Sequence, residues 1–417
     1  VKEREKAVLA ALRLPRQRRA DVEESLNELG RLAESAGARV VARAMQERRA
    51  PTPAYYFGKG KVEEIKDLSR REGANLFISD DPLSPVQERN LGGSLGLKVI
   101  DRTALILDIF ARRARTMEGK LQVELAQLSY LLPRLVGQWR HLERLGGGIG
   151  TRGPGETQIE ADRRLIRQRI QKIREELSRV RVHRRLQRDR RKASGVPVVA
   201  LVGYTNAGKT TLLNRLTGAS RAAADQLFVT LDPTARLVSA PEHTEFILTD
   251  TVGFIKKLPH QLVAAFKATL EELAEADVLL HVVDASHPRL EEHVAAVEET
   301  LADLELADRA IIVALNKADR VEPGAPLRAL VERFNGVAIS ALTGEGIETL
   351  LGRIDEVLRP RMERVRLRIP YGDGTALALC YARGRVLRRV DEADGILLEA
   401  ELPRRVLGQL TPYRAAK

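Results

Sequence analysis

The chain has 417 residues, enough for two to four domains with cores of their own, and 69 Lys and Arg against 57 Asp and Glu give a formal net charge of +12. One cysteine, Cys380, excludes a disulfide framework or a thiolate metal cluster, and the seven histidines show no zinc spacing. No apolar run of about eighteen residues occurs and the N-terminus is charged rather than signal-like, so a cytoplasmic protein without stable membrane insertion is expected. The basic excess points to a polyanionic partner, although an arginine-rich composition also follows from genome composition or adaptation to heat.

Residues 1–110 alternate apolar strands with helical patterns, which predicts a small N-terminal α/β domain with a largely parallel sheet. Val8 to Leu14 reads as a strand and Asp21 to Ser35 as an amphipathic helix capped by Asp21. Strands are expected at Arg39 to Ala44, Asn75 to Ile78 and Lys98 to Val99, and helices at Lys61 to Arg71 and Ser84 to Asn90. Tyr56-Phe57-Gly58-Lys59-Gly60-Lys61 is a glycine-rich turn at a helix start; it suits phosphate, and equally a plain strand-to-helix turn.

Residues 111–192 change character. After an apolar helical segment at Thr103 to Ala111, Leu121, Leu125, Leu128 and Leu132 recur at helical spacing, and Ile166, Ile170, Ile173, Leu177 and Val180 repeat it. Two stripes joined by a glycine-rich connection predict an antiparallel helical hairpin, with Pro133 bending or ending the first arm. The connection, Leu145 to Gln158, holds six glycines between Gly146 and Gly155: a flexible loop, or a tip that meets a nucleic-acid backbone with Arg152 as its charged probe. Asp162 to Lys192 carries fourteen Lys or Arg against four Asp or Glu, a net +10, and a one-sign stripe attracts phosphates where a solvated helix would interleave signs.

Residues 193–362 hold the richest motifs. An apolar strand, Val198 to Val202, leads into Gly203-Tyr204-Thr205-Asn206-Ala207-Gly208-Lys209-Thr210-Thr211 and then a helical pattern, a phosphate loop in its required setting. The glycines let backbone wrap a phosphate, Lys209 reaches the outer phosphates and Thr210 offers a hydroxyl to Mg2+. A first switch is expected at Asp225 to Thr234; Thr230 is the better candidate for the metal and Thr234 a rival. The strand Phe246 to Leu248 runs into Asp250-Thr251-Val252-Gly253, where Asp250 can hold Mg2+ through water and the Gly253 amide can meet a γ-phosphate. Asn316-Lys317-Ala318-Asp319 follows the strand Ile311 to Leu315; Asp319 can accept from guanine N1 and N2, donors that adenine does not present, so GTP/GDP is the expected nucleotide. Val337 to Ile339 leads into Ser340-Ala341-Leu342, a backbone rest for the guanine oxygen.

The catalytic candidates are therefore Lys209, Thr230 and Gly253, with Thr210 and Thr230 at the metal. Phe254 stands where many GTPases carry a water-orienting glutamine, so a slow intrinsic rate or a partner-supplied group is expected. Lys256 and Lys257 beside this segment either help meet RNA or are ordinary surface. Residues 363–417 alternate at Val365, Leu367 and Ile369, continue through Thr375 to Tyr381, a basic turn at Arg383 to Arg389 and Gly395 to Ala400, and predict a small C-terminal α/β or α+β domain.

Taken together, the fold class expected is α/β: a P-loop GTPase domain preceded by a small α/β domain and a helical hairpin. The Tyr56 to Lys61 turn, the helical arms, the Gly146 to Gln158 tip and Phe254, alongside the guanine motifs, make nearly all of residues 7–410 resemble the HflX family of ribosome-associated GTPases. That resemblance implies binding to the 50S subunit and 70S ribosome, contact of the N-terminal domain and tip with 23S rRNA, and splitting or rescue of stalled or idle ribosomes under stress. It also implies first-switch contacts from Phe228, Val229, Thr230, Leu231 and Asp232, and a monomer whose hydrolysis the ribosome stimulates. An assembly or hibernation factor without splitting activity is the alternative, and a GTPase acting on tRNA or in membrane-proximal signalling is a third.

Overall fold

The computed structural model describes residues 4–135, 154–194, 196–218, 227–228, 234–240, 245–250, 253–255, 257, 273–306, 308–322, 324–358 and 362–415. The chain forms two compact units: Val1–Arg179 with Gln226–Phe228 and Lys257–Phe266, and Val180–Asp225 with Val229–Lys256 and Lys267–Lys417.

The first unit is built on a four-stranded parallel sheet of order β2-β1-β3-β4, formed by β1 (Lys6–Arg13), β2 (Arg39–Glu47), β3 (Leu76–Ser79) and β4 (Lys98–Asp101). Strand β1 is buried from Ala7 to Leu12, the continuous apolar run that a central parallel strand covered on both faces requires. Between the strands run α1 (Arg19–Ser35), α2 (Lys59–Glu72) and α3 (Pro85–Leu95). Asp21 lies in the first turn of α1 rather than capping it: the cap position is Arg18, without a side-chain cap bond, because the helix begins two residues before Asp21. In contrast, α3 starts on a full capping box between Ser84 and Gln87, with Pro85 preset for the first turn. Gly58 caps α2, so the Tyr56 to Lys61 turn becomes a helix start.

Helix α4 (Arg102–Arg113) is capped by Asp101, and α5 (Met117–Leu131) by Thr116. Leu132 is the C-cap of α5, so α5 itself stops just ahead of Pro133. Helix α6 (Pro154–Ser194) supplies the second arm. Leu121 packs with Ile173 and Leu177, while Glu124 grips Arg169 through two bonds of 2.6 and 2.7 Å. Numbers that rise on one arm as they fall on the other make the pair antiparallel. The glycine-rich connection is shorter than its composition suggests: Pro154 to Gln158 are helical, since proline has the φ of a first turn and needs no donor there. Leu145 to Gly153, with Arg152, lie outside the described residues.

The second unit contains a six-stranded sheet of order β10-β9-β8-β5-β7-β6. Its strands are β5 (Val198–Val202), β6 (Thr234–Ser239), β7 (Glu245–Asp250), β8 (Val278–Asp284), β9 (Ala310–Asn316) and β10 (Val337–Ala338). All pairs are parallel except β6 with β7. Helices α7 (Lys209–Thr217), α8 (Leu290–Asp303), α9 (Ala325–Phe334) and α10 (Ile347–Leu358) accompany it. Val199, Leu201, Phe246, Leu248, Leu280, Leu350 and Ile354 are among its core residues.

The same unit also holds an antiparallel sheet β11-β13-β12, from β11 (Met362–Ile369), β12 (Arg385–Glu392) and β13 (Gly395–Pro403), beside α11 (Gly374–Arg383). The basic turn expected at Arg383 to Arg389 is corrected here. Arg385 onward is strand, because pairing with β13 outweighs the poor alternation of a charge-rich sequence. Cys380 is buried on α11, and burial pushes its thiol up to about 11.

Candidate guanine-nucleotide site

The loop between β5 and α7 lies at the carboxyl ends of the parallel strands, where open α/β sheets bind ligands. Two glycines are needed for steric reasons. A Cβ on Gly203 (φ 147°) would stand 2.3 Å from the Val282 carbonyl oxygen, and one on Gly208 (φ 98°) 2.1 Å from Asn316 Nδ2. Gly208→Ala therefore combines a strained backbone with a collision. The expected result is a loss of GDP affinity of about 5- to 100-fold, read by titration of a fluorescent GDP; unchanged affinity would show that the loop is free to relax.

Asn316 is the hub. Buried at the end of β9, it donates through Nδ2 to the Ala207 carbonyl at 2.7 Å and accepts from the Ala341 amide at 2.9 Å, so one side chain ties the phosphate loop to Ser340-Ala341-Leu342. The Ala318 amide donates to the Ile339 carbonyl at 3.0 Å, fixing a one-turn helix in which Asp319 is exposed. Lys317, at φ 61°, places Nζ 2.7 Å from Asp284 Oδ2. Burial raises the Asp284 carboxyl, but bonds from Lys317 and Ser286 outweigh it and hold the group below its ordinary range. Asp284 was not singled out in the sequence; its only signal is an acid ending the apolar run of β8.

Lys209 is buried and donates to the carbonyls of Gly203 (2.9 Å) and Tyr204 (2.8 Å). Burial pushes its ammonium down to about 8, with Asp250 acting in the opposite sense. On β8, burial and then the charge of Lys209 push His281 down to about 4, so its imidazole is neutral at pH 7. The Thr210 hydroxyl donates to Asp250 Oδ2 at 3.0 Å. Tyr204 stacks on His293 with ring centroids 3.8 Å apart, a second contact that no motif announces.

The second-switch candidate is bonded to the loop through its backbone. The Thr205 amide donates to the Phe254 carbonyl at 2.7 Å and the Phe254 amide to the Gly203 carbonyl at 3.1 Å. Phe254 is buried, so the residue in the glutamine position acts as an apolar anchor. A Cβ on Gly253 would stand 3.0 Å from Lys209 Nζ. Asn206 is exposed at φ 63°, and Thr211 follows Thr210 on α7. Of the first-switch candidates, Phe228 is described: it is buried in the first unit, edge-on to Phe110 with centroids 4.7 Å apart. Val229, Thr230, Leu231, Asp232, Thr251 and Val252 lie outside the described residues, and Thr234, the rival of Thr230, opens β6 opposite Asp250.

Four family profiles match in succession: "GTP-binding GTPase N-terminal" over residues 23–111, "GTP-binding GTPase Middle Region" over 113–191, "50S ribosome-binding GTPase" over 198–317 and "HflX C-terminal domain" over 327–410. The chain is 48% identical to GTPase HflX of Caldanaerobacter subterraneus subsp. tengcongensis, covering 96% of this chain and 92% of that protein. It is 47% identical to GTPase HflX of Escherichia coli, covering 91% and 90% respectively. Among solved structures it is similar to a GTP-binding protein of Sulfolobus solfataricus in complex with GDP, at 26% identity, 85% and 98% coverage and a TM-score of 0.46. With matched profiles spanning most of its length and close relatives covering nearly all of it, the chain belongs to the HflX family of GTPases: an α/β protein whose P-loop domain binds guanine nucleotide and hydrolyses GTP.

Proposed function

We propose that this GTPase binds the 50S ribosomal subunit and uses its nucleotide cycle to split or rescue stalled or idle 70S ribosomes under stress, working as a monomer in the cytoplasm. The observation that carries the reading is the charge of α6: net +10 between Asp162 and Lys192, along a helix of 41 residues. A helix of that length spans about 60 Å, and one-sign charge along it suits the phosphates of 23S rRNA. The profile described as "50S ribosome-binding GTPase" supports the same target. Among the described residues no helix is long and apolar enough to cross a membrane.

In this reading residues 1–110 and the hairpin of 111–192 meet rRNA, 193–362 carry the nucleotide and 363–417 form a separate small domain. The backbone of Gly203 to Thr211 cradles the phosphates, Lys209 and the Gly253 amide stabilise the γ-phosphate, and Asn316, Lys317, Asp319 and Ser340 to Leu342 hold the base. The hydroxyl of Thr210 and the carboxylate of Asp250, 3.0 Å apart, are hard oxygen donors of the kind Mg2+ takes, and Thr230 would join them. Bound there, Mg2+ supplies charge neutralisation at the phosphates. Phe254, where many GTPases carry a water-orienting glutamine, is apolar and buried and cannot orient water by hydrogen bonding; in this reading the ribosome raises the hydrolysis rate.

The deciding measurement is sedimentation of purified 70S ribosomes with the protein and GTP, a non-hydrolysable analogue or GDP. The expected result is conversion to subunits with either triphosphate and not with GDP. Binding to 50S subunits without conversion would instead establish the assembly or hibernation role, and no ribosome shift at all would refute both.

A further inference from the structure

Beside the guanine-nucleotide site stands a side chain that belongs to none of its motifs. Arg215 lies in the last turn of α7, the helix that Lys209 begins. Its Nε donates to the Ala341 carbonyl at 3.2 Å and its Nη2 to the Leu342 carbonyl. The planar fork of a guanidinium can hold two acceptors in a fixed relation, which the point charge of an ammonium cannot. A Cβ on Gly344 (φ 98°) would stand 3.6 Å from Arg215 Cζ and Nη1, so the guanidinium lies along the turn in ordinary contact.

The turn is otherwise closed on itself. The Ser340 amide donates to the Glu345 carbonyl at 2.9 Å, the Gly344 amide to the Ser340 carbonyl at 2.8 Å and the Thr343 amide to Ser340 Oγ at 3.1 Å. The Ala341 amide is taken by Asn316 Oδ1. Among the described residues the Leu342 amide has no acceptor, although the amides on both sides of it do. The Leu342 side chain is exposed and supplies little packing to hold its backbone.

Peptide planarity connects this open donor to Arg215. The Ala341 carbonyl and the Leu342 N–H belong to one peptide plane and point in opposite directions. Holding the oxygen therefore fixes the line along which the N–H donates. The Leu342 carbonyl, held by the other arm of the fork, fixes the next plane, whose N–H goes to Ser340 Oγ. Guanine carries an acceptor at O6, where adenine carries an amino donor. A fixed N–H attracts the first and rejects the second.

We propose that Arg215 is a positioning residue for guanine recognition: by gripping the Ala341 and Leu342 carbonyls it aims the Leu342 N–H at guanine O6. The inference rests on the reading of Ser340 to Leu342 as a base-side contact, and adds the residue that sets the direction of that contact. Helix α7 carries Lys209 at one end and Arg215 near the other, about 9 Å apart along the axis, so one rigid element holds the phosphate contacts in register with the base contact. Asn316, bonded to Ala207 and Ala341, makes the second such tie.

The test is competitive titration of the full-length protein with GDP and with 2-aminopurine riboside diphosphate, which lacks O6. The analogue also lacks the N1 proton, a loss common to every variant that cancels when ratios are compared. Arg215 is exposed, so Arg215→Met leaves the core intact, and methionine suits a helix. In that variant GDP affinity is expected to fall about tenfold and affinity for the analogue to change less than about twofold, so the preference for GDP falls about tenfold. Arg215→Lys, which keeps a donor for one carbonyl, is expected to lie between wild type and Arg215→Met. A preference in Arg215→Met within about threefold of wild type would overturn the proposal, whether both nucleotides weaken together, as for a merely structural brace, or neither does, as for plain surface. A lysine variant with no higher preference than the methionine variant counts equally against it. If the wild type itself binds the two nucleotides with equal affinity, the reading of the base-side contacts fails, whatever Arg215 does.

Discussion

Asp319→Asn is expected to turn the protein from guanine toward xanthine nucleotides. The carboxylate of Asp319 is exposed on a short helical turn whose backbone is held by the Ile339 carbonyl, so it stays available to a base while its own position is fixed. Guanine offers two donors, at N1 and N2, to two carboxylate oxygens. An amide presents one acceptor and one donor group, and its donor faces the guanine amino group while it suits the xanthine carbonyl. Bonds to charged groups contribute about 1.5–3 kcal/mol each, so losing both costs GDP roughly 10²- to 10⁴-fold in affinity. Parallel titrations with GDP and XDP measure this. Equal base preference in variant and wild type would refute the assignment of Asp319 to the base. The neighbouring Lys317–Asp284 ion pair, at 2.7 Å, is untouched by the change and keeps the segment in place.

The second large effect is on stability. Among the described residues Arg102 is the largest fully buried side chain, and Arg102→Met removes the guanidinium that Asp80 and Glu28 share in the core of the first unit, leaving Asp80 to Lys257. Breaking a buried ion network by deleting one partner costs about 3–5 kcal/mol, against a much smaller cost when the whole network is replaced by apolar groups. For a unit of this size the first thermal transition should fall by roughly 6–20 °C, read by differential scanning calorimetry. The penalty depends on pH. Burial alone would raise the Asp80 carboxyl, but Arg102 and then Lys257 outweigh it and hold it below the ordinary carboxylate range. A carboxyl depressed in the folded state stabilises fully above its unfolded pKa, about 4, and loses that contribution as pH falls through its folded value. The gap between wild type and Arg102→Met should therefore be full at pH 7 and shrink below about pH 4. A variant melting within about 2 °C of wild type at pH 7 would contradict this account.

The phosphate loop was legible because its chemistry is local: nine consecutive residues carry the turn, the lysine and the hydroxyl, and a strand and a helix frame them. Asn316 and Asp250 were legible for the same reason, each at the end of an apolar run. The strand β8 went unannounced because a continuous apolar stretch carries no motif, and with it Asp284; His293, the stacking partner of Tyr204, lies on α8 and is likewise outside any motif. Strand β12 was misread as a basic turn since nothing in RVLRRVDE alternates cleanly; only its pairing with β13 makes it a strand. Pro154 to Gln158 were read as loop from the glycines before them, although proline starts helices well.

By itself, then, the sequence determined the nucleotide, the order of the motifs, the helical arms and the basic charge of the second arm, all of which are written in adjacent or periodic residues. The tertiary structure alone decided that Asn316 joins the phosphate loop to Ala341, that Phe254 anchors its segment to the loop, and that Lys257 sits on Asp80. The last pair is 177 residues apart in the chain. Contacts of that separation leave no periodicity to read; they exist because the fold brings opposite charges to one crevice, where burial makes leaving either of them alone costly.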